Sequence, residues 1–173
     1  MARANPGKIT FGSSGIGSPF HLAGELLKSM AGIDMLHVPY KGSGPITTAL
    51  LSGEVMSAFA PLGPFLQQIR SGKLRALGIL NGYRTALLPD LPTLDEAMSL
   101  PGFALDAWVG LIAPAGTPRA IVDRLNRELA RIVRDPQFSK EHLLRQSYEP
   151  LGSTPEEMGE TMKSALPLYA RIV

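Results

Sequence analysis

Short apolar runs alternate along this chain with longer stretches whose apolar positions recur at helical spacing. The runs Lys8–Phe11, Met35–Val38, Val55–Phe59 and Leu74–Leu80 read as strands, and helices are predicted to begin near Ser18, Pro45 and Pro64. The resulting order, βαβαβαβ, predicts an α/β fold with parallel neighbouring strands and helices on the faces of the sheet. In such sheets a ligand lies beyond the carboxyl ends of the strands, at a topological switch point. The loops Gly12–Ser18, Pro39–Pro45 and Ala60–Pro64 are therefore expected on one rim.

The first helix is bounded at both ends. Ser18 is placed to cap it, Pro19 suits its first position, His21–Met30 continues amphipathically and Gly32 stops it. After Leu80 the pattern changes. Asn81–Met98 is a turn-rich crossing segment, with Thr93 capping a short helix because Glu96 stands three residues later. A strand over Leu105–Ala113 is expected next, then a long amphipathic helix through Val133 capped by Thr117 with Pro118 in its first turn. Asp135-Pro136 ends that helix and begins another through Gln146. A short strand over Tyr148–Leu151 and a final helix opening at Ser153-Thr-Pro-Glu-Glu complete the chain. The second half thus supplies too little sheet for a complete domain.

The loop after the first strand carries the candidate chemistry. Its backbone N–H groups and the positive end of the helix dipole make a place for a carboxylate or a phosphate. Gly12, Gly15 and Gly17 are spaced G-x-x-G-x-G, which is neither the dinucleotide fingerprint nor the Walker pattern, and no acidic ribose partner follows at a suitable distance. Nucleotide binding is disfavoured. The same glycines equally serve tight turns. In the second loop Tyr40 offers an aromatic wall and a hydroxyl, Lys41 a cation, and Gly42–Gly44 further N–H groups. Alternatively Tyr40 packs on the edge of the core and Lys41 is solvated. His21, one turn into its helix, either faces a ligand or satisfies a buried hydrogen bond, and His37 presents the same choice.

Composition narrows the classes. The 173 residues are 45% hydrophobic, ample for a buried core, and 17 cations against 15 acids leave a net charge of +2 with the basic residues scattered. A nucleic-acid surface is not indicated. There is no cysteine, so disulfides and thiolate chemistry are excluded, and the three histidines show no metal-ligand spacing. No metal and no cofactor is called for. No apolar stretch is long enough to span a bilayer, and the first ten residues lack the core of a signal peptide. Neither G-x-S-x-G nor an acid/base pair appears, which moves weight from catalysis to binding.

Taken together, four motifs resemble a known family. Asn5-Pro-Gly-Lys-Ile-Thr-Phe-Gly-Ser-Ser-Gly-Ile-Gly-Ser-Pro-Phe-His-Leu-Ala-Gly-Glu-Leu27, His37-Val-Pro-Tyr-Lys-Gly42, Pro89-Asp-Leu-Pro-Thr93 and Ala113-Pro-Ala-Gly-Thr-Pro118 resemble, in order and spacing, the Bug-type (TctC-like) extracytoplasmic solute receptors of tripartite tricarboxylate transporters. The resemblance implies a two-lobe, type II periplasmic-binding-protein-like fold that closes over a small carboxylate solute without catalysis. It implies membrane transporter components as partners and a periplasmic location. By match it implies a ligand-binding set of Ser13, Ser14, Gly15, Gly17, Ser18 and His21 from the first loop and Tyr40, Lys41, Gly42 and Gly44 from the second.

Against that family the chain lacks the N-terminal part, including a P-F-x-x-G-G-type loop that supplies the other half of the ligand clamp. The resemblance therefore implies that residues 1–82 form the second lobe, 83–104 a crossover segment and 105–173 the C-terminal part of an incomplete first lobe. Solute binding by this chain alone is expected to be impaired, and apolar surface near Trp108 is expected to favour self-association. Two other readings stay open: a sensing or scaffold module of the same fold, and an α/β enzyme using the Gly/Ser loop.

Overall fold

The computed structural model describes residues 2–170 and 172. Two compact units divide the chain, the first running to Ala107 and the second beginning at Trp108.

In the first unit, β1 (Ile9–Ser13), β2 (Met35–Pro39) and β3 (Ser57–Ala58) form a parallel sheet in the order β2-β1-β3. Phe11 stands opposite His37 on one side and Ser57 on the other, and Ser13 opposite Pro39. This order puts a switch point between β1 and β3, at the end of the sheet where the Gly/Ser loop leaves β1. The third strand is shorter than the apolar run predicts. The Val55 N–H turns back to the Ala49 carbonyl, and the Met56 N–H donates to Thr10 Oγ1 at 2.9 Å, so a side chain takes the place of ladder pairing.

Helix α1 (Pro19–Ala31) is bounded as its sequence requires. Ser18 accepts from the His21 N–H at 3.2 Å, Pro19 opens the helix, and Gly32 closes it at φ 60° with its N–H on the Lys28 carbonyl. The helix lies so close to β1 that a Cβ at Gly24 would stand 2.3 Å from Phe11 Cε2. Phe11, Ala23, Leu27, Ala31 and Met35 are buried there, each large side chain contributing about 1.5–3 kcal/mol. Helix α2 (Ser43–Ser52) buries Ile46 and Ala49, and a short 3-10 turn at Gly63–Phe65 leads into α3 (Leu66–Arg70).

Beyond β3 the predicted strands do not form among the described residues. Leu74–Leu80 contributes one isolated parallel bridge, Ile79 to Thr93, with Ile79 N–H on the Pro92 carbonyl and Leu94 N–H on the Ile79 carbonyl. Next to that bridge Gly78 is pressed against Leu94, where a Cβ would come within 2.7 Å. Helix α4 (Leu94–Met98) begins at the predicted cap: Thr93 N–H donates to Glu96 and Glu96 N–H to the Thr93 hydroxyl. Phe103 joins Leu27, Ala31 and Leu94 in the core.

The expected strand over Leu105–Ala113 is likewise absent. Leu105 makes one backbone bond, to the Leu80 carbonyl, and from Trp108 the backbone runs without a paired neighbour, leaving Val109 and Ile112 more than three-quarters exposed. In the second unit α5 (Arg119–Arg134) is capped differently from the prediction. Pro118 occupies the N-cap position, and the Thr117 hydroxyl donates to the Pro114 carbonyl at 2.8 Å, closing the preceding turn. Asp135 caps α6 (Pro136–Phe138), which continues through a π turn, Ser139–Leu143, and a 3-10 turn, Leu144–Gln146. No strand forms over Tyr148–Leu151, where the Tyr148 N–H folds back onto the Leu143 carbonyl. Thr154 and Glu157 cap α7 (Pro155–Ala170) reciprocally, and Arg119 ties α5 to it through Glu156. Ile121, Leu125, Leu129 and Ile132 form an exposed apolar stripe along α5. No helix among the described residues is long and apolar enough to cross a membrane.

Candidate functional site

The carboxyl ends of β1 and β2 are held together by the Tyr40 N–H, which donates to the Ser13 carbonyl at 2.9 Å. This brings the Gly/Ser loop and the Tyr40–Gly44 loop side by side on the rim. The Phe59 N–H, on the Gly12 carbonyl, starts the third loop from the same place.

Beneath the first loop lies a polar cluster. Ser13 is fully buried, its Oγ 2.7 Å from His37 Nε2, and it also accepts from the Gly15 N–H at 3.3 Å. The His37 ring stacks on Phe11 at 4.9 Å and lies 4.2 Å from the His21 ring. Burial pushes the His37 imidazole below its ordinary value of 6.5, and the neighbouring His21 and Lys28 act in the same direction, against an opposing pull from Glu25. His21 in turn uses Nδ1 to accept from the Gly17 N–H at 3.3 Å, while Nε2 stands 3.8 Å from the Glu25 carboxylate, itself paired with Lys28 at 2.9 Å.

Many of the donors expected to be free are therefore in use. Gly15, Gly17, Ser18 and His21 each direct their N–H at an acceptor inside the loop or the first turn of α1. Among the described residues the N–H groups of Ser14, Ile16 and Phe20 have no protein acceptor, and neither do those of Lys41, Gly42, Ser43 and Gly44. The second loop is the more open donor array. Gly42, at the N-cap of α2, supplies no side chain to cap it and adopts φ 98° with ψ −179°, a conformation essentially reserved for glycine. Successive unpaired N–H groups at a helix N-terminus concentrate partial positive charge.

Tyr40 does not stand open. Its ring covers Gly12, where a Cβ would meet it at 3.3 Å, and its hydroxyl donates to Glu54 at 2.7 Å. That hydrogen bond to a carboxylate raises the pKa of the phenol above its ordinary value of 10.0. Lys41 is exposed and makes no ion pair among the described residues. Ser14, Gly15 and Ser18 are partly exposed, and Gly17 and Gly44 are open to solvent.

One participant escapes the sequence reading and another is only half read. For His37 the sequence leaves a ligand role or a buried hydrogen bond open, and its bond to the buried Ser13 hydroxyl takes the second. Glu54, just past the Gly53 end of α2, carried no local signal for its bond to Tyr40. The Ser13–His37 pair has the spacing of a nucleophile and its base. Ser13 is wholly buried, however, and no carboxylate among the described residues bonds His37, so the pair lacks both substrate access and an orienting acid. No group of three metal-ligating side chains occurs among the described residues.

Comparison with known proteins finds relatives for both the sequence and the fold. The sequence profile of the tripartite tricarboxylate transporter family receptor matches residues 1–165. A relative from Pseudomonas sp. strain P51, the UPF0065 protein of the tcbD-tcbE intergenic region, is 38% identical over 99% of this chain and 51% of its own length. R. palustris Rpa4515, solved with adipate, superposes with a TM-score of 0.86 at 31% identity over 99% of this chain and 56% of its own. MatC from Rhodopseudomonas palustris, solved with bound malate, gives 0.80 at 27% identity over 99% and 58%. Periplasmic binding proteins, BugD among them, thus share the α/β fold. The chain spans about half the length of the relatives it matches.

Proposed function

Because the chain belongs to the tripartite tricarboxylate transporter receptor family, we propose that it binds one carboxylate of a small organic acid at the rim formed by the Gly/Ser loop and the Tyr40–Gly44 loop. In this reading it serves, without catalysis, to deliver that solute in the periplasm to a tripartite tricarboxylate-type transporter. The observation that carries it is the run of unpaired N–H groups from Lys41 to Gly44 beside those of Ser14 and Ile16. Backbone dipoles at a helix N-terminus hold a carboxylate without a buried counter-ion. Ser13, Ser14, Gly15, Gly17, Ser18, His21, Tyr40, Lys41, Gly42 and Gly44 form the proposed site, with Ser13, Ser18 and Tyr40 shaping the loops rather than touching the solute.

Adipate and malate, carried by two structural neighbours, are both dicarboxylates and support a small di-acid as the solute. Residues 1–82 are assigned to one lobe, 83–104 to the crossover and 105–173 to part of the other. Two loops grip a solute at one end only, so binding by these 173 residues is weak. The apolar stripe of α5 and the exposed Val109–Ile112 segment support self-association. A thermal-shift screen against small carboxylates, with the light-scattering mass recorded alongside, tests the reading. A binding acid at ten times its Kd stabilises the folded chain by about 1.4 kcal/mol. Absence of a shift with every carboxylate up to solubility contradicts it.

A further inference from the structure

The bond between the Gly17 N–H and His21 Nδ1 carries a consequence for this same site, and it rests on the carboxylate reading above. Nδ1 accepts a hydrogen bond only while it is unprotonated. The Gly17 N–H, on an exposed part of the loop, is thereby tied down. We propose that His21 is a proton-operated latch on the Gly/Ser loop. When Nδ1 takes a proton from solvent, it and the Gly17 N–H become two donors facing one another, and a solute carboxylate oxygen accepts from both.

Without an anion that doubly donating arrangement is unfavourable, since two N–H dipoles 3.3 Å apart at nitrogen point at each other and the first turn of α1 disfavours a cation. With an anion between them both donors are satisfied and the charge is balanced. Anion binding and proton uptake are therefore linked, each favouring the other.

The surroundings direct the proton to His21. His37, its ring tilted against that of His21 at 4.2 Å, lies beneath the loop with its Nε2 committed to Ser13, and two imidazolium rings at that separation repel. Lys28 opposes a charge on His37 and Glu25, which stands 3.8 Å from His21 Nε2, supports one. These two are the charged groups of α1 that face the rings. β1 and its loop bring the Ser13 hydroxyl, the Phe11 ring and backbone, and β2 brings His37 itself. The pair thus takes up one proton, on His21, the ring whose Nδ1 faces the Gly17 N–H.

Two measurements on the 173-residue chain test the latch. In the ligand-free protein the Gly17 amide resonance is expected to move with pH at the midpoint of the His21 ring signals, and to stop moving in His21→Gln. A Gly17 amide that ignores the His21 titration overturns the proposal. Calorimetry with adipate in buffers of different ionisation enthalpy is expected to show uptake of a fraction of a proton, and affinity falling several-fold from about pH 6 to about pH 8. One linked proton limits the fall to about tenfold per pH unit. His37→Gln is expected to keep this dependence and His21→Gln to lose it. Adipate binding of equal strength across that range, or a dependence surviving in His21→Gln, also overturns it. If adipate and other carboxylates fail to bind at any pH, the receptor reading falls, while the Gly17 titration still decides whether the latch exists.

Discussion

The Ser13 hydroxyl and His37 Nε2 meet at 2.7 Å beneath the Gly/Ser loop, joining the ends of two neighbouring strands. Since the Gly15 N–H also rests on Ser13, the loop's first turn is built on this contact.

The depressed basicity of His37 has a definite effect on stability. Its folded value lies below the 6.5 of the unfolded chain, so between those two points the unfolded state binds more protons. Its contribution is complete above pH 6.5 and is lost as pH falls from there through the lowered folded value. Denaturant unfolding followed across this range should show wild-type stability declining on acidification, and His37→Gln should flatten the decline. A decline of equal slope in the variant contradicts the assignment.

Gly24 is predicted to tolerate no side chain. A Cβ there would stand 2.3 Å from the rigid Phe11 ring, and overpacking of this kind costs about 1–3 kcal/mol. Gly24→Ala is expected to lower the unfolding midpoint accordingly, whereas Gly159→Ala, where the added Cβ meets nothing within 4 Å, is not.

At Ser18 the prediction concerns both fold and loop. Ser18→Ala removes the acceptor of the His21 N–H and should cost about 1 kcal/mol by chemical denaturation. Ser18→Asn, which can cap, should restore most of it.

How far these contacts were legible in sequence depends on their range. The caps at Ser18 and Thr93 follow from local chemistry, because each signal sits within four residues of its partner, whereas the parallel β1 and β2, paired 26 residues apart, follow from the alternation of short apolar runs with a helix between them. The strands expected at Leu74–Leu80, Leu105–Ala113 and Tyr148–Leu151 failed for the opposite reason: a strand exists only if another pairs with it, and apolar content cannot report the neighbour. In the site, the glycines and the helix starts were readable, but the use of the Gly17 N–H by His21 and of the Tyr40 hydroxyl by Glu54 was not. Those bonds join side chains whose meeting is set by packing. The likeness of four motifs to one family singles out the rim as the candidate site where single motifs leave alternatives.

The apolar stripe on α5 gives a prediction about assembly. Replacing Leu125 and Leu129 together by Gln shortens the exposed stripe without touching the salt bridges of Arg119. The weight-average mass by light scattering should fall towards the 18.5 kDa of a single chain. An unchanged multimeric mass, or a monomeric wild type, refutes self-association through this face.

The proposed carboxylate rim is tested most directly by following backbone amide resonances while adipate is added. The largest shifts are predicted at Ser14, Ile16 and Lys41–Gly44, and they should shrink in Gly42→Ala, whose φ of 98° no alanine adopts without strain. Shifts concentrated in the groove lined by Ile69, Leu74, Arg75, Leu88 and Leu91 instead, or none at saturating adipate and malate, would contradict the account.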